Sequence, residues 1–291
     1  MTAPDDVSTS DLSGPTRSPE VVATLTFVGT ATTIIRCGSF TILTDPNFLN
    51  RGQRAYLGHG LSSRRLTQPA VRAEELPDLD AVVLSHLHGD HFDRVARRHL
   101  DRQLPIITTP HASRRLQGWH GFSRAVGLQT WTSHTMTKAG ETLTVTAMPG
   151  RHGPGALRAL LPPVMGAMLE FGTADGGVGW RIYLSGDTLL FDELRLIPQR
   201  YPEIPLAVLH LGTTTLPGGL MVTMDHRQGC DLIEILNSKQ VVPIHLDDYT
   251  VFKFDQAAWR AELQHRGLAG RIISLAAGAT TDIAGLAPRD Q

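Results

Sequence analysis

Along "VVATLTFVG" (21–29), "TTIIRC" (32–37) and "FTILTD" (40–45), apolar and β-branched residues alternate with Thr. Each run closes in turn chemistry, which predicts an antiparallel meander. "RGQRAYLGHGLSSRRL" (51–66) has no clear period and reads as a loop, whereas "LDAVVLS" (79–85) is continuously apolar, the mark of a strand buried on both faces. Further strands are expected at "PIITT", "TLTVTAMPG", "GAMLEFG", "WRIYLSGDT", "LAVLHLG", "KQVVPIHL" and "RIISLAA". Helical spacing marks "FDRVARRHL", "HASRRLQGW", "FDELRLIPQRY", "MDHRQGCDLIEILN", with Asp225 as N-cap, and "FDQAAWRAELQHRG". Strands, helices, strands and helices again predict an α/β (α+β) fold of two sheet-plus-helix halves, packed sheet to sheet with helices outside. No short repeat or internal linker appears, so residues 21–291 are read as one domain after a polar, acidic tail over 1–20 that is expected to be disordered.

Composition narrows the partners. Of 291 residues 41% are hydrophobic, ample for a buried core, and 27 basic against 28 acidic residues give a net charge of -1. That balance argues against a protein that grips nucleic acid by neutralising phosphates. Cys37 and Cys230 form no CxxC pair, so a reducing cytoplasm is expected and a thiolate metal site is not. The N-terminus lacks the pattern of a secretory signal, and the longest nearly apolar stretch, "ALRALLPPVMGAML" (156–169), is too short to span a bilayer. Nothing in the pattern excludes a homo-oligomer.

The chemistry concentrates in "LSHLHGDHFD" (84–93), which begins where a buried strand stops. With 13 histidines in the chain, H-x-H-x-D-H arises by chance in about two chains per thousand of this composition, so a solvated histidine run is a poor explanation. Imidazole and carboxylate together suit Zn(II), Mn(II) or Fe(II). In an extended segment His86 and His88 point to one side and can hold one ion, while Asp90 and His91, past the Gly89 bend, can turn toward a second. Two coordination shells need distant partners. Three residues at ends of expected strands qualify: His152, Asp187 and His245. The resulting set is His86, His88 and His152 on one ion and Asp90, His91 and His245 on the other, with Asp187 bridging.

Asp45 in "LTDP", the "HLHGDH" cluster, His152 in "GRHG", Asp187 in "SGDT" and His245 in "PIH" resemble the five successive motifs of the metallo-β-lactamase superfamily over roughly residues 23–255. The resemblance implies a four-layer αβ/βα sandwich with a dinuclear site along one edge of its sheets, and Asp45 as a support behind the ligands. Within that superfamily, "ILTDPNF", "LPDLDAVVLSHLHGDHFD" and "SGDT" are similar to the branch that holds N-acylphosphatidylethanolamine-hydrolysing phospholipase D and L-ascorbate-6-phosphate lactonase. Two departures stand out. Many relatives begin this region with Gly-His-Ala-Thr, whereas "GTAT" puts Thr30 at the histidine position, and "HLDDYTVF" follows the last ligand where the phospholipase has His-Trp-Gly-Thr-Phe.

The expected activity is hydrolysis by a metal-bridging hydroxide, cutting a phosphodiester or an ester or lactone bond of a small-molecule or lipid-like substrate. Zinc is the leading cofactor, two ions per chain, with Mn2+ or Fe2+ as alternatives. Asp90 and Asp187 would orient the hydroxide, and His210, ending "LAVLHLG", is a candidate proton donor, against the reading of a strand-end histidine satisfied by backbone. Asp248 and Tyr249 are candidate substrate contacts at the rim, against a polar turn. Arg54, Arg64 and Arg65 could receive a phosphate or simply solvate a loop. "GPGALRALLPPVMGAML" (153–169) could form an apolar lip. The rival reading is an inactive or regulatory metal-binding module; a β-lactamase or an RNA-processing nuclease ranks lower.

Overall fold

A computed structural model describes residues 22–155, 160–172, 177–216 and 219–286. The expected disordered tail over 1–20 lies outside the described residues.

Strands β1 (Ala23–Gly29), β2 (Thr32–Cys37) and β3 (Phe40–Thr44) form the expected antiparallel meander. The stretch 51–66, expected as a loop, instead holds a hairpin of β4 (Arg54–Gly58) and β5 (Leu61–Arg64). Its alternation is hidden because most of its side chains face solvent. Next come β6 (Ala81–Val83), helix α1 (Arg94–His99), β7 (Ile106–Thr108), helix α2 (Pro110–His120) and β8 (Ala125–Gly127). β3, β6, β7 and β8 run parallel.

The second half contains β9 (Ser133–Lys138), β10 (Glu141–Met148), β11 (Gly166–Gly172), β12 (Val178–Leu184), helix α3 (Ile197–Arg200) and β13 (Leu206–His210). A small hairpin, β14 (Thr215–Leu216) with β15 (Leu220–Met221), precedes helix α4 (His226–Leu236), β16 (Gln240–Ile244), helix α5 (Gln256–His265) and β17 (Thr280–Asp282). One sheet has the order β17-β1-β2-β3-β6-β7-β8, the other β16-β13-β12-β11-β10-β9. "RIISLAA" is not a strand: beyond an isolated bridge from Ile272 to Val241 it makes no ladder, and β17 closes the edge of the first sheet instead.

Strand alternation explains the layering. In β2, Ile35 joins the core between the sheets, with Leu25 and Ile42 from one sheet and Val145, Leu169, Ile182 and Val208 from the other. Its neighbour Ile34 faces the opposite way, into a layer with Ala96 of α1 and Leu116 of α2. Outside the second sheet, Tyr183, Ala207 and Val241 pack on Ile233 and Leu236 of α4 and Trp259 of α5. This is the four-layer sandwich, each buried Leu or Ile contributing about 1.5–3 kcal/mol against exposure. Caps set the helix starts: Asp93 accepts from the backbone of Val95 and Ala96, and Asp225 from that of Gln228, as its position predicts. No described helix is long and apolar enough to cross a membrane.

β12, β13 and β16 run parallel, as do β3 and β6, so their C-terminal ends emerge together along one edge of the sandwich. The candidate residues sit at that edge.

Candidate metal centre

His86, His88 and His91 follow β6, His152 follows β10, Asp187 follows β12, and His245 is the first residue after β16. Two glycines let the backbones come close enough. A Cβ on Gly89 would lie 2.7 Å from the carbonyl oxygen of Tyr56, which accepts the Gly89 N–H, so only glycine lets hairpin β4–β5 seat on the motif. Gly186, at φ +60°, packs on the Met165 carbonyl oxygen, 2.6 Å from where its Cβ would be, and turns Asp187 inward. His245 itself has φ +62°, strained for a residue with a side chain, and is held there as its N–H donates to the Thr30 carbonyl at 2.7 Å.

Three buried groups result, the first of His86, His88 and His152, the second of Asp90, His91, Asp187 and His245, and a third of Asp45 and His210 that shares His91, each with one ligand atom per residue within 4.8 Å of the rest. In the first, His86 Nε2 lies 2.9 Å from His88 Nδ1, which is 3.3 Å from His152 Nε2. His152 Nδ1 is 3.0 Å from the Val222 carbonyl oxygen; donating its proton there leaves a lone pair on Nε2. In the second, His91 Nε2 is 3.2 Å from Asp187 Oδ2, while His245 approaches Asp90 and Asp187 at 3.5 Å each. His88 Nε2, Asp90 Oδ1, His91 Nε2, Asp187 Oδ1 and both ring nitrogens of His245 are buried without a hydrogen-bond partner. Leaving such groups unsatisfied is costly, and a cation bound among them removes the cost.

Electrostatics point the same way. Burial, then mutual repulsion among the rings, holds His86 well below the usual histidine range, and burial followed by His152 lowers His88 to about 3. Burial also lowers His152, so this triad presents neutral imidazoles, the form that binds metal. For His91 burial acts downward but is outweighed by Asp187, Asp45 and Asp90, which hold it well above its ordinary value. Burial would raise Asp187, yet His245 and His91 keep it well below the carboxylate range. Three buried carboxylates around one ring demand positive charge, from a proton on His91 or from a metal ion.

A prediction follows for the metal-stripped protein. Below about pH 6.5 the unfolded chain takes up protons that buried His86, His88 and His152 refuse, so stability is full above that pH and falls as pH drops toward the folded values. Asp187, depressed in the fold, adds loss in the same direction at lower pH, whereas raised His91 stabilises on the acid side. The depressed groups outnumber the raised one, so the thermal midpoint of chelator-treated protein should drop from about pH 7 to about pH 5. A flat profile would contradict these ionisation states.

Asp45 is fully engaged behind the second cluster. Its Oδ1 accepts the Ser85 N–H at 2.7 Å, and Oδ2 lies 3.1 Å from His91 Nδ1 and 3.4 Å from His210 Nε2. Burial would raise its pKa, but His91 and His210 bring it to about 2. His210 therefore stands behind His91, stacked on it at 5.9 Å and tied by Nδ1 to Ser185 Oγ at 3.2 Å, and it does not line the open groove. That location does not suit the proton donor expected at this position: a buried ring bound to Asp45 has no path to a leaving group.

Asp248 and Tyr249 likewise turn inward rather than toward a rim. Asp248 accepts the Thr30 N–H at 2.9 Å and the hydroxyl of Thr67, so the two departures from the family pattern, "GTAT" and "HLDDY", touch each other and support His245. The Tyr249 hydroxyl donates to Asn47 Oδ1, and Asn47 Nδ2 donates to the Gly89 carbonyl, bracing the motif loop. Arg65 is completely buried, its Nη1 donating to Asn47, whereas Arg64 is exposed. Asn47 is a support that the sequence reading missed; only its adjacency to "LTDP" could have signalled it. His226 is half-buried at the first position of α4.

A groove of about 1080 Å³ opens from His88. Arg54 and the segment Leu160, Leu161, Pro162 and Pro163 line it, so the described part of the expected lip borders the site; residues 156–159 lie outside the described residues.

A model of the β-lactamase superfamily domain matches residues 41–246. A UPF0173 metal-dependent hydrolase of Deinococcus radiodurans is 30% identical over 209 residues, covering 70% of this chain and 80% of that protein. N-acyl-phosphatidylethanolamine-hydrolyzing phospholipase D 1 of Caenorhabditis elegans is 28% identical over 196 residues, 64% of this chain and 53% of the phospholipase. Among solved structures, an isothiocyanate hydrolase from Delia radicum gut bacteria superposes with a TM-score of 0.72 at 22% identity, over 89% of this chain and 98% of that one.

Proposed function

The chain belongs to the β-lactamase superfamily and is a metal-dependent hydrolase of that fold, and from this premise we propose that it is a dinuclear hydrolase cutting a phosphodiester or an ester or lactone bond of a small or lipid-like substrate. The observation that carries the reading is the pair of buried clusters, three imidazoles in one and two carboxylates with two imidazoles in the other. His86, His88 and His152 would hold one divalent ion and Asp90, His91 and His245 the other, Asp187 facing both; zinc is first choice, Mn2+ or Fe2+ the alternatives. Bound there, the ions would supply Lewis acidity and a hydroxide nucleophile near neutral pH.

The chain's own residues do the rest. Asp90 and Asp187 would orient the attacking water, since their carboxylates are held ionised by the neighbouring histidines. Asp45 fixes the His91 tautomer by accepting from Nδ1, which leaves Nε2 for the ion, and His210 steadies Asp45 from behind. The filled ligand positions speak against the inactive or regulatory module. Free, buried Cys37 and Cys230 accord with a cytoplasmic setting.

Asp45→Asn should therefore weaken metal affinity about 10–100-fold with the fold intact. Competition against a chromophoric chelator reads this, and unchanged affinity would remove Asp45 from its supporting role. The reading as a whole is tested by metal analysis together with turnover of bis(4-nitrophenyl) phosphate, an acyl lactone and a cephalosporin. Metal-dependent cleavage of the diester or lactone supports it; a metal-loaded protein inert to both would refute it.

A further inference from the structure

The groove that opens from His88 is basic far beyond what a net charge of -1 suggests. Arg54, Arg94, Arg97 and Arg115 line it, and Arg94 and Arg97 also line an adjoining hollow of about 330 Å³ with Arg98 and Arg102. The arginine ion pairs of the described residues lie elsewhere, on Arg72, Arg181 and Arg266. Among the described residues Asp93 is the one carboxylate on these walls, and its oxygens are occupied by the backbone N–H groups of Phe48, Leu49, Val95 and Ala96. Two groove histidines feel the field: burial first, then Arg115 and Arg114, lower His111, and burial first, then Arg97, Arg102 and Arg115, lower His120.

Apolar surface lies among these arginines, with the Arg115 guanidinium 5.1 Å from the centre of the Trp119 ring. Leu160 is 63% exposed, Tyr56 61% and Trp119 75%, three large side chains whose apolar surface is left for a ligand to cover. Guanidinium groups with no carboxylate partner among the described residues, beside exposed apolar surface, match an amphiphilic anion, which gains charge-assisted bonds at one end and burial at the other.

We infer that the groove selects substrates carrying a phosphate-like anionic group remote from the bond to be cut, held by Arg97 and Arg115, with an apolar body along Tyr56, Trp119 and Leu160. That such an anion is a substrate rests on the hydrolase reading; that the groove binds it does not. A nucleic acid is the less fitting occupant, because beside the exposed rings of Tyr56 and Trp119 the walls carry Leu160, Leu161 and two prolines, aliphatic surface that suits an apolar chain better than a nucleotide backbone.

The test is calorimetric titration of hexyl phosphate into the metal-loaded protein. R97Q/R115Q should weaken binding about tenfold or more with metal content unchanged, R97K/R115K should stay within about threefold of wild type, and added salt should weaken binding in wild type. His88→Ala, which disturbs the metal cluster, should retain arginine-dependent binding. Binding that survives R97Q/R115Q but vanishes in His88→Ala would put the phosphate on the metals and overturn the inference. Tighter arginine-dependent binding of a ten-nucleotide RNA than of hexyl phosphate would overturn the choice of ligand. A metal-loaded protein that binds hexyl phosphate through the arginines yet hydrolyses neither diester nor lactone would leave this inference standing and refute the hydrolase reading alone.

Discussion

His88→Ala is expected to lower bound metal from two ions per chain toward one and to cut kcat/KM by at least about a hundredfold, the upper end of what loss of a mere supporting residue costs. The reason is local. His88 Nδ1 lies between His86 Nε2 at 2.9 Å and His152 Nε2 at 3.3 Å, so its loss opens the first cluster, whereas Asp90, His91, Asp187 and His245 keep their places. Elemental analysis after dialysis, with circular dichroism to show a retained fold, checks it. Two ions still bound in the variant would remove His88 from the ligand set.

Asp187→Asn is expected to do more damage to occupancy for the same shape of side chain. The carboxylate reaches His91 at 3.2 Å and His245 at 3.5 Å, and its charge also acts on His86, His88 and His152. Removing that charge withdraws attraction from both cation positions at once, so both affinities should fall, with turnover lost by at least about a hundredfold. His88→Ala empties one position; Asp187→Asn loosens two. Stepwise metal titration separates these patterns, and loss confined to one ion in Asp187→Asn would deny the bridging placement.

The contiguous motif was legible because four of six neighbouring positions, His86, His88, Asp90 and His91, carry its chemistry, and His152, Asp187 and His245 were legible because each follows a strand whose apolar run is plain in the sequence. What was not legible depends on where side chains turn in three dimensions. Arg64 and Arg65 are adjacent, yet one is exposed and the other buried against Asn47. Asp248 and Tyr249 follow His245 closely, but their hydrogen bonds to Thr30 and Asn47 draw them inward. The basic groove was hidden in helix periodicity: Arg94 and Arg97 on α1 meet Arg115 on α2 only after both helices pack on the first sheet. Hairpin β4–β5 was missed because alternation that faces solvent carries little apolar signal, although Gly89 shows how tightly it is seated on the site.

The central claim is that hydrolysis depends on ions held by these two clusters. Titrating chelator-stripped protein with Zn2+ while following cleavage of bis(4-nitrophenyl) phosphate or an acyl lactone tests it most directly. Activity should be absent at the start and rise to a plateau at two equivalents per chain. Full activity in the metal-free protein would contradict the account.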